Sequence, residues 1–72
     1  MIKIYGTKNC SRCMVAKNMA SENGYEYEYF DNYDETLRIC RENKIKKFPV
    51  IIKENGDVIS LEDFMTEIRN KK

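Results

Sequence analysis

Cys10-Ser11-Arg12-Cys13 sets two thiols three residues apart, and sulfur is the one unusual chemistry available to this chain of 72 residues. There is no His at all, which removes Ser-His-Asp and Cys-His catalysis and any His-ligated metal. A CxxC pair can serve three ends. As a structural staple it is weak: closing so short a loop restrains the unfolded chain by only ~2 kcal/mol, whereas a Cys13 to Cys40 bridge would give ~3.6 kcal/mol on the same entropy model. As zinc ligands the cysteines fall short, because a structural site normally takes four Cys or His ligands and only three Cys are present. Cys40, moreover, falls on the inward face of a helix. A cluster shared between two chains keeps a metal or iron–sulfur carrier as an alternative. The third use is a reversible dithiol, and no metal is assigned.

The position of the pair favours that third use. Cys10 stands where a loop becomes a helix, and unpaired amides and the helix dipole at such a terminus favour an anion. Its sulfur is therefore expected to be the attacking thiolate, with Lys8 and Arg12 adding positive charge. A stabilised thiolate is also a better leaving group, so Cys13, one turn further in, can expel it.

The elements that must hold this pair can be read from period and punctuation. Ile2 to Tyr5 is a short β-rich run ended by Gly6 and the polar Thr7-Lys8-Asn9. From Ser11 to Asn23, Cys13, Ala16, Met19, Ala20 and Asn23 share a helical face, and Asn23-Gly24 is a C-terminal stop. Tyr25-Glu26-Tyr27-Glu28-Tyr29-Phe30 alternates with period two, as in a strand with one wet face, and its glutamates suit a sheet edge. Asp31-Asn32 and Asp34 start a second helix, with Tyr33, Thr36, Leu37, Cys40 and Lys44 on one face. Phe48-Pro49 ends that segment and leads into Val50-Ile51-Ile52, an apolar run expected to be buried on both faces. Asn55-Gly56 predicts a two-residue hairpin turn into Val58-Ile59. Ser60 and Asp63 read as a capping box before Leu61, Phe64, Met65 and Ile68, and Arg69, Lys71 and Lys72 suit the negative end of that last helix.

The order is β-α-β-α-β-β-α, an α/β chain with one domain expected over residues 1–72. Right-handed crossovers make the first two strands parallel, and the hairpin completes a four-stranded mixed sheet covered by three helices. Hydrophobic residues at 42% and charged residues at 35% describe a small globule, and a net charge of +1 argues against an electrostatic nucleic-acid binder. The tyrosines could stack bases, but Glu26 and Glu28 interleave them and would repel phosphate, so sheet packing is the expectation. No apolar run reaches the ~18 residues of a membrane span, and Met1 to Cys10 lacks the pattern of a signal peptide. A cytoplasmic, monomeric protein is expected, with no nucleic-acid or membrane partner.

A strand, a loop, a CxxC opening a helix, a later β-branched strand introduced by Pro49, then a hairpin and a final helix resemble the thioredoxin superfamily in its small glutaredoxin form. The resemblance runs over essentially the whole chain, and its nearest look is to the glutaredoxin-like redoxins that serve ribonucleotide reductase. It implies a thioredoxin-like (glutaredoxin-type) fold and a dithiol–disulfide oxidoreductase acting on protein disulfides, with Cys10 and Cys13 as the redox pair and no cofactor besides it. It also implies that Pro49 is cis and packed beside the dithiol, while the Phe48 backbone is placed to pair with an extended target.

The departures from the family bear on partners. Ser11-Arg12 replaces the usual Pro-Tyr, which would put an exposed cation on the reactive rim. Where the family's glutathione site has a Gly-Gly pair, this chain has Ser60-Leu61-Glu62-Asp63, with bulk at Leu61 and negative charge at Glu62. Lys46 falls near a cation that binds glutathione's other carboxylate, and Asp63 near an acidic residue of that site. The expected substrate-binding residues are Lys8, Arg12, Lys46, Phe48 and Pro49, and the expected reductant is a thioredoxin-type reductase, with glutathione as the alternative. Lys44, Lys46 and Lys47 read equally as a solvated helix end or a docking patch. Cys40 reads as a small core residue, and a binding module on a redox-dead fold is the remaining alternative function.

Overall fold

The computed structural model describes residues 1–70. Seven elements follow in the expected order: β1 (Ile2–Gly6), α1 (Ser11–Glu22), β2 (Tyr27–Asp31), α2 (Tyr33–Glu42), β3 (Val50–Ile52), β4 (Val58–Ser60) and α3 (Leu61–Asn70). The strands form one sheet in the order β2-β1-β3-β4. β1 and β2 are parallel with Ile2 opposite Tyr27 and Ile4 opposite Tyr29. β3 runs antiparallel to β1, Ile51 opposite Ile4, and β4 antiparallel to β3. β2 is thus an edge strand, as its glutamates suggested, although it begins at Tyr27 rather than Tyr25. Tyr25 is engaged elsewhere, its N–H donating to the Ala20 carbonyl at the end of α1.

Alternation along β3 divides the apolar residues between two layers. Ile51 joins Ile2, Ile4, Ala16, Ala20, Leu61 and Phe64 under α1 and α3, while Val50 joins Ile39 and Cys40 under α2. Both faces of the central strand are therefore buried, as its unbroken β-branched run requires. The small side chains Cys13, Ala16 and Ala20 form the buried face of α1, so that helix lies close to the sheet and brings the CxxC against the end of β1.

Three local readings are corrected. The buried face of α2 is Thr36, Ile39 and Cys40; Tyr33 stands exposed with its ring edge against Phe48, and Lys44 lies past the helix end. In α3, Leu61 and Phe64 turn inward while Met65 is exposed. The hairpin uses a three-residue loop: Gly56 N–H donates to the Lys53 carbonyl, Lys53 N–H to the Asp57 carbonyl, and Gly56 takes a φ of 94°. That is a turn followed by a left-handed glycine, a longer solution than the two-residue one Asn55-Gly56 suggested. Ser60 Oγ does accept from Asp63 N–H at the start of α3. Lys71 and Lys72, expected to close that helix, lie outside the described residues. Among the described residues no helix is long and apolar enough to cross a membrane.

Candidate functional site

Cys10 is the N-cap of α1. Its backbone is extended, and its Sγ accepts a hydrogen bond from the Cys13 N–H at 3.2 Å. A sulfur in that position receives one of the amides that a helix start leaves unpaired, and a negative charge on it would strengthen the bond. Cys10 is half-buried, whereas Cys13 is only 1% exposed. Both are free thiols. A cavity of about 480 Å³ opens onto the pair, lined by Thr7, Lys8, Met14, Lys17, Tyr29 and Asp31 among others.

Cys13 is packed into a notch made by Gly6. A Cβ added to Gly6 would stand 2.4 Å from Cys13 Sγ and 2.6 Å from the Tyr29 hydroxyl, so the last residue of β1 must lack a side chain for both groups to fit. The Tyr29 hydroxyl donates to the Thr7 carbonyl at 2.7 Å, and Lys17 Nζ sits 4.3 Å over the Tyr29 ring. Burial pushes the Cys13 thiol up and the neighbouring Cys10 sulfur adds to this, while Tyr29 and the Thr7 backbone pull the other way. The Tyr29 hydroxyl is pushed up as well, first by burial and then by its hydrogen bond with Cys13. Cys13 thus holds its proton behind a half-buried neighbour.

The Phe48-Pro49 bond is cis and Pro49 is buried. This peptide is tied to the first turn of α1 by Arg12, whose Nε donates to the Phe48 carbonyl at 2.8 Å. The same guanidinium pairs with Glu62 through an Nη2 to Oε2 contact of 2.7 Å. Arg12 is therefore no exposed rim cation, as the sequence suggested; it is half-buried and neutralised. Arg12 in turn holds the Glu62 carboxyl below its ordinary range.

Of the expected binding residues, Lys8 lines the dithiol cavity and Phe48 and Pro49 lie beside Arg12. Lys46 does not line that cavity. It faces a separate one of about 460 Å³, with Lys44, Lys47, Ser60, Glu62 and Asp63 along its wall. Leu61, read both as part of the apolar face of the last helix and as bulk where the family's Gly-Gly pair stands, is 3% exposed and belongs to the core. Cys40 is buried in the layer under α2, and burial pushes its thiol up. Three contributors escape a reading of the sequence: Gly6 read only as a strand end, Tyr29 only as sheet packing, and Glu62 only as a free charge. The period-two run does place Tyr29 on the face that reaches Cys13, and it carried the one usable signal.

A mixed four-stranded sheet, helices on both faces, a CxxC capping the first helix and a proline before the third strand make a thioredoxin-like fold. No family model matches the chain, and no curated protein matches it. Solved structures do. A glutathione S-transferase from Xanthobacter autotrophicus Py2 superposes on 97% of the chain with a TM-score of 0.78 at 18% identity, and the chain spans 37% of that protein's length. A mutant of the thioredoxin-like protein BC3987 superposes on 99% of the chain with a TM-score of 0.70 at 20% identity, over 96% of its own length. At these identities the likeness is one of fold.

Proposed function

We propose that this chain is a dithiol–disulfide oxidoreductase that reduces protein disulfides with the Cys10–Cys13 pair. The observation that carries the reading is the asymmetry of the two thiols: Cys10 caps the helix and meets solvent, while Cys13 is buried behind it with a thiol pushed up by burial. The Cys10 thiolate attacks one sulfur of the target disulfide, the target S–S bond breaks, and its other sulfur departs as a thiolate that takes up a proton. Cys13 then loses its proton and attacks the Cys10 sulfur. The mixed disulfide breaks, the second target thiol leaves, and the Cys10–Cys13 disulfide forms, so two electrons have passed to the target. A disulfide of a ribonucleotide reductase is the target that the family resemblance supplies.

The oxidised pair is restored by a thioredoxin-type reductase or by glutathione. Leu61 is turned into the core and Glu62 is paired with Arg12, which lessens the obstacle to the glutamyl end of glutathione that the bare sequence suggests. Turnover with NADPH and a thioredoxin reductase, measured beside turnover with glutathione and glutathione reductase, assigns the reductant. Cys10→Ser and Cys13→Ser test the reaction itself. With a disulfide-bonded protein substrate, Cys13→Ser is expected to accumulate a stable mixed disulfide, seen as a mass adduct, and Cys10→Ser none. A trapping Cys10→Ser variant would reverse the roles, and trapping by neither would remove the activity.

A further inference from the structure

The residue between the cysteines that departs most from the family is also the one most tightly engaged. Arg12 Nε donates to the Phe48 carbonyl and its Nη2 to Glu62 Oε2, so one planar guanidinium ties the first turn of α1 to the peptide before Pro49 and to the first turn of α3. A fork of this kind holds two acceptors in one rigid planar geometry, which the rotatable ammonium of a lysine does not supply. If, as the family resemblance implies, an extended target pairs along the Phe48 backbone, the Phe48 carbonyl is one acceptor it would use, and strand addition needs unoccupied main-chain donors and acceptors. Its second lone pair does not remove the obstacle, because an incoming N–H would have to lie beside the Arg12 N–H and share the oxygen with a cation.

We propose that Arg12 is a specificity latch at the dithiol. Closed on the Phe48 carbonyl and held by Glu62, it disfavours polypeptide disulfides, which must pair beside Phe48, and leaves small disulfides, which need only reach the Cys10 sulfur, free to react. Polypeptide targets are reduced from the open latch, and opening sets their rate. The inference rests on the thiol–disulfide reading above. A hydrogen bond from a charged donor is strong enough to shift such an equilibrium by about tenfold, whereas the Arg12–Glu62 pair, whose Glu62 side faces solvent, contributes only a few-fold.

The test is a ratio of two rate constants for the reduced protein, one with insulin as the polypeptide disulfide and one with 2-hydroxyethyl disulfide as the small one. Taking the ratio cancels any change in the intrinsic reactivity of Cys10. Arg12→Met is expected to raise the insulin to small-disulfide ratio by about tenfold, and Glu62→Gln, which keeps the arginine but loosens its hold, by about two- to threefold. An unchanged or lowered ratio in both variants, with the small disulfide still reduced, overturns the latch and leaves the oxidoreductase reading standing. A wild-type protein that reduces neither disulfide overturns both.

Discussion

Gly6 shows how much of the site depends on a side chain that is not there. Its place opposite Asp31 in the sheet puts its α-carbon against Cys13, and a methyl group there would stand well inside contact distance of the Cys13 sulfur and the Tyr29 hydroxyl. Neither neighbour can retreat easily. Cys13 belongs to the buried face of α1, and Tyr29 is anchored by its hydrogen bond to Thr7. Gly6→Ala is therefore expected to destabilise the protein by about 1 to 3 kcal/mol, the range for overpacking a filled interior. Denaturant unfolding of the reduced protein measures this. The same displacement should slow the attack of Cys13 on the mixed disulfide more than the initial attack of Cys10, so single-turnover kinetics will show the intermediate accumulating. A variant as stable as the wild type would mean that α1 shifts freely on the sheet.

The helices α1 and α2 end by the same device on different residues. After α1, Tyr25 N–H reaches back to the Ala20 carbonyl and Gly24 takes a φ of 77°; after α2, Ile45 N–H reaches back to Cys40 and Lys44 takes a φ of 57°. A left-handed residue is required at both ends, and only one of them is a glycine. Lys44→Gly should relieve the β-carbon crowding at that position, against some added freedom in the unfolded chain, for a net gain of about 0.5 to 1 kcal/mol. A denaturant midpoint that rises with an unchanged slope would report it, and a fall would show that the Lys44 side chain has a compensating contact. These ends also mark what a sequence can and cannot disclose. Asn23-Gly24 announces its motif and Asn43-Lys44 conceals it, because the demand for a left-handed residue comes from the backbone path and not from the residue that meets it. The strand and helix order, the CxxC at a helix start and the β3 run were legible because their signals are local. The partners of Arg12 were not, since its bonds join residues 36 and 50 positions apart, and no period or spacing connects them.

Across the whole molecule, Cys13 and Tyr29 lie on the α1 side of the sheet and Cys40 under α2, and for each of the three burial is the first cause that raises its pKa. All three are neutral in the folded protein near neutral pH. In the unfolded chain they ionise at their ordinary values, 9.0 for the thiols and 10.0 for the phenol. Above those values the unfolded state binds fewer protons than the folded one, so the free energy of unfolding falls as pH rises. Their contribution is fully present below the ordinary values and is lost as pH climbs through the raised ones. With no His in the chain, no side chain of ordinary pKa titrates between about pH 5 and 8. Stability is thus expected to be flat over about pH 6 to 8 and to decline with steepening slope above about pH 9, each unmatched proton adding up to about 1.4 kcal/mol per pH unit. Glu62 acts in the opposite sense: Arg12 lowers its pKa, so its contribution is present above the ordinary carboxylate value and is lost as pH falls through the lowered one. The Glu62 side of that pair is open to solvent, and the acid limb should be shallow. Urea midpoints across this range for the reduced wild-type protein and for Cys40→Ala separate the sources. The variant is expected to lose roughly 1 kcal/mol at neutral pH from the small void it leaves and to decline less steeply in alkali, because one of the three buried groups is gone. Parallel alkaline limbs would show that Cys40 ionises as readily in the folded protein as in the unfolded chain, and that the layer under α2 is open to water.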